Sequence, residues 1–476
     1  MTTIRYTLLG LFVFIFSSQL SAEPKDAWFE LFKQTHSDEQ LYALLHQMPK
    51  GGDIHHHITG SNFSEWWWAL ATDEKRNGGY RYYTKTSLLL CDGVASNEFG
   101  RNKSLVLFKT IQHSTYQSLS ECKKNEYQPL TSLNEQLKMA WMDSIRLHLP
   151  HEGRDEFFER HWARLNELIR NPIIIGEMLV HNMQSYQEEG VRYLETQVNI
   201  EYMIKPDGTS YKPQQVLAIL NERLEQPDAK ATNVVVRFQY MLLRFRPDAE
   251  AQLEWIYQFV GQHRDRYVGI NMAGREDNDK GYPSRFLPVL RKLRNRATKI
   301  PMSIHAGEVD EPNFHVRDTL MLGADRIGHG VNLISDPQTM LLMRNNRYLI
   351  EINLISNLLL GYVDDFSQHP FPEYLRTGIP VALSTDDRGM WDSTLTDEFF
   401  VAVKAFNLTW SEIKQLSRNS LTYSFVQQET KEKLLDDYES AIDLFEERAA
   451  QGNIPLSRPN GFTTRGFICR QYDLCW

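Results

Sequence analysis

The run Ile54-His55-His56-His57-Ile58 packs three imidazoles between apolar neighbours. Read as a strand, it turns His55 and His57 to one face and His56 to the other, because side chains alternate sides with a period of two. Two converging imidazoles at a strand end make a ready metal site, since neutral imidazole is a standard zinc ligand. A His-rich run also reads as polar surface, so the pair does not decide the matter alone. Ile304-His305-Ala306-Gly307-Glu308 adds to it: an apolar strand ends in His, and a Gly turn presents a carboxylate three residues later. A third ligand and a general acid/base arrive together. Arg326-Ile327-Gly328-His329-Gly330 and Leu383-Ser384-Thr385-Asp386-Asp387 likewise place charge-capable groups where an apolar run stops. In isolation His329 reads as a satisfied core histidine and Asp386-Asp387 as a helix N-cap pair. Four such endings in one chain point instead to a shared site, because catalytic groups of a parallel barrel gather at the C-terminal ends of its strands.

The elements needed to position those endings are visible. Short β-rich runs occur at 53–58, 192–198, 233–243, 267–273, 300–305, 326–328, 348–352 and 379–384, with helical stretches such as 249–262 and 284–295 between them. Eight strand candidates alternating with helices predict an α/β fold, a (β/α)8 TIM barrel. No repeat of ~20 to 50 residues occurs, which excludes solenoids and propellers. About 130 residues separate the first run from the second, more than one helix can fill. The stretch 73–133, rich in Asn, Gly, Tyr, Ser and Lys and holding Cys91 and Cys122, is therefore predicted to be an inserted, disulfide-tied subdomain, since long structureless loops are uncommon in compact domains.

At the N-terminus, Arg5 precedes an apolar run at 8–16, followed by Ser17, Ser18, Gln19, Ser21 and Ala22. This is the layout of a secretory signal cleaved after Ala22, and the run is too short for the ~20 residues of a spanning helix. The expected organisation is a signal peptide at 1–22, a short helical segment at 23–47, a barrel at 48–450 and a tail at 451–476. The product would be secreted or periplasmic. Cleavage removes one positive charge, Arg5, and takes the net charge from −9 to −10. Such a surface gives no electrostatic reason to bind nucleic acid or an anionic membrane. The four cysteines allow three connectivities, and proximity favours Cys91 with Cys122 and Cys469 with Cys475. A four-cysteine zinc site is disfavoured because no C-x-x-C spacing occurs.

Taken together, Met48-Pro49-Lys50-Gly51-Gly52, the His pair, His-Ala-Gly-Glu, Gly-His-Gly and Ser-Thr-Asp-Asp resemble the adenosine deaminases from about residue 48 to about 435. The Met-Pro-Lys-Gly opening, the leader and the cysteine-bearing insertion resemble their secreted growth-factor branch. The resemblance implies that His55, His57, His305 and Asp386 bind one zinc ion per chain, and that Glu308 is the proton shuttle. It further implies that His329 orients the attacking water, Asp387 meets the purine N7, Gly274 offers backbone to N3, and His57 borders the substrate. The implied reaction is hydrolytic deamination of adenosine and 2′-deoxyadenosine, with zinc bringing the pKa of water towards ~7 for attack at C6. Glu308 would need a pKa raised by burial to keep its proton until substrate arrives.

Several positions depart from the family pattern. Thr59 stands where intracellular members have an aspartate that reaches the ribose, so ribose contacts would come from elsewhere. Arg388 replaces a proline, and Asn353-Leu354-Ile355-Ser356-Asn357 replaces a Cys-Pro-x-Ser-Asn segment. The segment 23–47 is shorter than the branch's dimerisation region, which leaves a homodimer open. Of Trp66, Trp67 and Trp68, which cannot share one helix face, two are expected in the core. The alternatives are a deaminase of another 6-aminopurine and an inactive extracellular nucleoside-binding or signalling protein, the latter opposed by the intact ligand set and Glu308.

Overall fold

Strand β1 (Gly51–His57) is buried along its whole length, as expected of a parallel strand covered on both faces. The computed structural model describes residues 26–89, 91, 106–276, 280–296, 298–309, 311–457 and 466–475; the expected leader lies outside them. After β1 the chain enters the insertion, whose strands β2 (Tyr82–Lys85), β3 (Thr110–Gln112) and β4 (Tyr127–Pro129) form a small antiparallel sheet in the order β3-β2-β4. A Cys91–Cys122 disulfide ties it, and a second joins Cys469 to Cys475.

The barrel continues with β5 (Val191–Gln197), β6 (Val235–Leu243), β7 (Tyr267–Ala273), β8 (Met302–Ala306), β9 (Arg326–His329), β10 (Leu349–Ile352) and β11 (Val381–Leu383). These seven and β1 form one parallel sheet in sequence order. Asp386 closes it. Its N–H donates to the His55 carbonyl at 2.9 Å and its carbonyl accepts from His57 N–H at 3.1 Å, so the third residue beyond β11 is stitched to the end of β1. The fold is the (β/α)8 barrel expected from the alternation of runs.

All eight predicted runs contain a strand, and the helix Ala249–Gln262 has the predicted ends. Of the 379–384 run only Val381–Leu383 forms strand, and two residues beyond the run Asp386 adopts left-handed backbone with a φ of 55°. The predicted helix at 284–295 splits into a 3-10 turn (Pro283–Phe286) and a helix (Leu287–Arg294). Pro288 has no N–H to donate backwards and so marks a new helical start.

The stretch 146–165 lies against loops at the C-terminal ends of the barrel strands. Leu147 N–H donates to the Met390 carbonyl at 2.8 Å, and Arg146 pairs with Asp392 at 3.1 Å. The Phe157 ring packs 5.1 Å from that of Trp391, and Arg275 reaches Asp155 at 2.6 Å. This segment roofs part of the barrel mouth. Trp67 is fully buried, while Trp66 packs on Phe63 and His181 and Trp68 on Trp141. The tail forms a short helix (Phe467–Tyr472) whose Phe467 N–H donates to the Asp392 carbonyl at 2.7 Å. Among the described residues no helix is long and apolar enough to cross a membrane.

Candidate active site

His55 and His57 end β1, His305 sits in β8, and Asp386 follows β11. Distant in sequence, they meet because the barrel brings strand ends to one rim. Ligand-capable atoms of all four lie within 4.8 Å of one another, and all four residues are buried. His56 faces away, as alternation requires, with its Nδ1 2.7 Å from the Thr196 hydroxyl.

The hydrogen bonds on the outer ring nitrogens show what the group needs. His55 Nδ1 stands 2.6 Å from a Glu351 carboxylate oxygen. Glu351 is held ionised against the cost of burial by Arg326 and His55, its pKa pushed down to about 2, so Nδ1 must be the donor. His305 Nδ1 donates to the Met272 carbonyl at 3.1 Å. With both outer nitrogens protonated, the inner Nε2 atoms, 3.1 Å apart, can face each other only with a positive charge between them. His57 Nε2 and His55 Nε2 also point at one Asp386 oxygen, at 3.1 and 3.5 Å. Burial opposes a charged His55, yet hydrogen bonds to Asp386 and Glu351 and their negative charges carry its pKa up to about 10. Three imidazoles and a carboxylate that together demand a cation are a fitting set for a divalent metal such as zinc.

Two further features hold this geometry. His329 and Asp386 both adopt left-handed backbone, with φ of 64° and 55°, the kind of strain that persists where surrounding structure enforces it. Gly328, between Ile327 and His329, lets the His55 ring approach: a Cβ there would lie 2.7 Å from His55 Cε1 and 3.1 Å from Nδ1. Gly328→Ala should therefore displace the ring and weaken metal binding by roughly 10-fold while the barrel still folds. Competition against a chelator measures this, and unchanged affinity would show that the ring can yield.

Glu308 follows the Gly307 turn after β8 and is 5% exposed. Burial, and then the charges of Asp386 and Glu276, hold its pKa well above the usual carboxylate range. Glu276 fixes the turn that presents it, accepting from the Gly307 and Glu308 amides at 3.1 Å each and from His315 Nδ1 at 2.8 Å. His329 Nε2 stands 3.7 Å from a Glu308 oxygen. Asp387 is also buried, and burial and the neighbouring Asp386 raise its pKa well above normal. Its Oδ1 has no hydrogen-bond partner, and Gly60 has no Cβ because one would lie 1.6 Å from that oxygen. Gly274 follows β7 with a φ of 104°, partly exposed at the same end of the barrel.

Supporting residues outside the motifs also appear here. Ser356 donates to the free Asp386 oxygen at 2.7 Å, and Asn353 and Asn357 reach His329 Nδ1 at 3.3 and 3.0 Å. Glu398 holds that segment through the Leu354 and Ile355 amides at 2.9 and 3.2 Å. Arg388 points away from the ligands to Glu189, at 3.0 Å, and lies over the Tyr186 ring. These contacts tie the turn after β11 to the end of the helix Pro172–Glu188. A separate group, Glu152, Glu156 and His161, lies in the roof, where Arg160 and Arg164 already occupy the Glu156 carboxylate at 3.0 and 2.8 Å.

Residues 130–441 match the family described as Adenosine deaminase. An adenosine deaminase of Enterococcus faecalis is 29% identical over 248 residues, which are 52% of this chain and 70% of that one. An adenosine deaminase of Phlebotomus duboscqi is 25% identical over 442 residues, 89% of this chain and 81% of its own. Among solved structures, the adenine deaminase of Arthrobacter aurescens shares the fold with a TM-score of 0.60 at 18% identity, covering 83% of this chain and 99% of that one. The apo N6-methyl-AMP deaminase of Arabidopsis thaliana does so with a TM-score of 0.60 at 18% identity, covering 85% and 99%. The family match takes in seven of the eight barrel strands, together with His305, Glu308, His329, Asp386 and Asp387. With well over half of its length matched, the chain belongs to the adenosine deaminase family.

Proposed function

We propose that this protein hydrolyses adenosine, and 2′-deoxyadenosine, to the inosine nucleoside and ammonia, with one zinc ion held by His55, His57, His305 and Asp386. The observation that carries the reading is the pairing of a cation-demanding ligand group with a carboxyl group, Glu308, buried beside it. Zinc bound there supplies a nucleophile at neutral pH by lowering the pKa of water. The remaining work belongs to the side chains. Glu308 keeps its proton through burial and gives it to N1 as the C6=N1 π electrons withdraw onto N1; the carboxylate left behind then takes the proton of the adding water's oxygen and passes it to the departing amine. Asp387, protonated for the same reason, donates to N7, which can only accept. Gly274 offers its backbone N–H to N3, and His57, whose side chain is 10% exposed against 0% for His55, borders the substrate. The roof at 146–165 limits the access of bulk water. The two disulfides support an exported protein, since such bonds persist in oxidising compartments.

Relatives at 25–29% identity are adenosine deaminases, whereas fold neighbours act on adenine or N6-methyl-AMP. A panel of adenosine, 2′-deoxyadenosine, adenine, AMP and N6-methyl-AMP separates the readings by change in ultraviolet absorbance. Adenosine should give the highest kcat/KM, with elemental analysis finding about one zinc per chain. Faster turnover of a nucleotide or free base would overturn the nucleoside assignment and leave the family intact.

A further inference from the structure

The His329 ring is connected to a second histidine that no motif marks. His369 lies between the 3-10 turn Phe366–Gln368 and the helix Phe371–Thr377, and it is 2% exposed. The backbone N–H of Phe371 points at His369 Nδ1 at 3.1 Å. A backbone amide can only donate, so Nδ1 must accept. Burial pushes the His369 pKa down to about 3, and a neutral ring that accepts at Nδ1 carries its proton on Nε2. That Nε2–H stands 3.0 Å from Asn357 Oδ1 and donates to it. The Asn357 amide is thereby oriented, and its Nδ2 faces His329 Nδ1 at 3.0 Å. Nδ2 donates, His329 Nδ1 accepts, and the His329 proton is left on Nε2. Asn353 Nδ2, 3.3 Å from the same Nδ1, adds a second donor.

We propose that His369 is a positioning residue which, through Asn357, locks His329 in the Nε2–H tautomer and so makes it a hydrogen-bond donor to the reacting oxygen. Each link in the chain has one direction because it begins at a backbone N–H. The consequence deepens the deaminase reading, on which it rests. A donor at Nε2 stabilises negative charge on the oxygen that adds at C6, but it cannot take a proton from that oxygen. Proton transfer then falls to Glu308, 3.7 Å from Nε2.

The test is long-range 1H–15N correlation spectroscopy on 15N-histidine-labelled, zinc-loaded enzyme, with His329 assigned by comparison with His329→Asn. Wild-type His329 should show its proton on Nε2. Asn357→Asp keeps the size but replaces the donor with a carboxylate, so the proton should move to Nδ1. Its kcat should fall by ~100-fold or more with KM and zinc content retained, as a forced wrong tautomer does elsewhere. His369→Gln preserves both an acceptor for Phe371 and a donor for Asn357 and should stay near wild type. His369→Leu should lose about 10-fold in kcat. A wild-type His329 protonated on Nδ1 would overturn the proposal, as would an Asn357→Asp enzyme with unchanged tautomer and kcat. If the tautomer shifts as stated but no purine is turned over by the wild type, the relay stands and the deaminase reading fails.

Discussion

Glu308→Gln should retain zinc and bind nucleoside, yet lose at least ~100-fold in kcat. The substitution keeps the size of a side chain that is only 5% exposed, so packing is preserved and the transferable proton is what disappears. The pH dependence gives a second reading. Glu308 is useful only while protonated, and burial, with the Asp386 and Glu276 charges, raises its pKa. Wild-type activity is therefore present below that raised pKa and falls as pH climbs through it. The residual activity of Glu308→Gln should lose the Glu308 share of this alkaline limb, because an amide does not titrate there, and keep only the share due to Asp387, which must also stay protonated to donate to N7. Zinc occupancy must be measured on the same preparation, since Glu308 lies beside the ligand group without belonging to it. Comparable turnover at full occupancy would leave the barrel in place and remove the mechanism.

The barrel and its ligands were legible in the sequence for one physical reason: they lie where apolar runs stop. β7 was readable at both ends because all seven of its residues are buried. The ends of β1, β8, β9 and β11 each carried a polar group that a buried strand would not otherwise tolerate. The residues that support these groups were not legible in the same way. Glu351 lies in a run read only as a strand, and its contact to His55 spans 296 positions. A signal for it existed. Charged residues inside otherwise apolar barrel strands, Glu195, Arg326 and Glu351, form one buried ladder in which Arg326 meets Glu195 at 2.6 Å and Glu351 at 2.5 Å. Burying such groups unpaired is costly, so their presence in a strand already implies partners. Asn357 stands out in the sequence only as part of a departure from the family pattern, and His369 sits in no motif. Their roles depend on hydrogen-bond direction, which only the fold can set. Thr59 is half-buried beside the site, and nothing in the structure explains its replacement of aspartate.

His305→Ala should abolish both metal binding and activity, which distinguishes a ligand from a proton carrier. The alanine leaves two imidazoles and Asp386, and it removes the nitrogen that faces His55 Nε2 across 3.1 Å. Glu351→Gln should give a graded loss instead. A glutamine oxygen can still accept from His55 Nδ1, so the ring keeps its orientation but loses the negative charge behind it. Zinc affinity should fall roughly 10- to 100-fold, the usual effect of removing such a supporting partner. The same change deprives Arg326 of one of its two carboxylates, and the melting temperature should drop; the surviving Glu195 contact keeps the guanidinium paired. Because the four ligands remain, saturating zinc should restore most of the activity of Glu351→Gln and none of that of His305→Ala. Chelator competition followed by zinc titration under assay conditions distinguishes the two. A Glu351→Gln enzyme with wild-type affinity would mean that the close fit of the His55 ring against Gly328, rather than the carboxylate, holds the metal site in register.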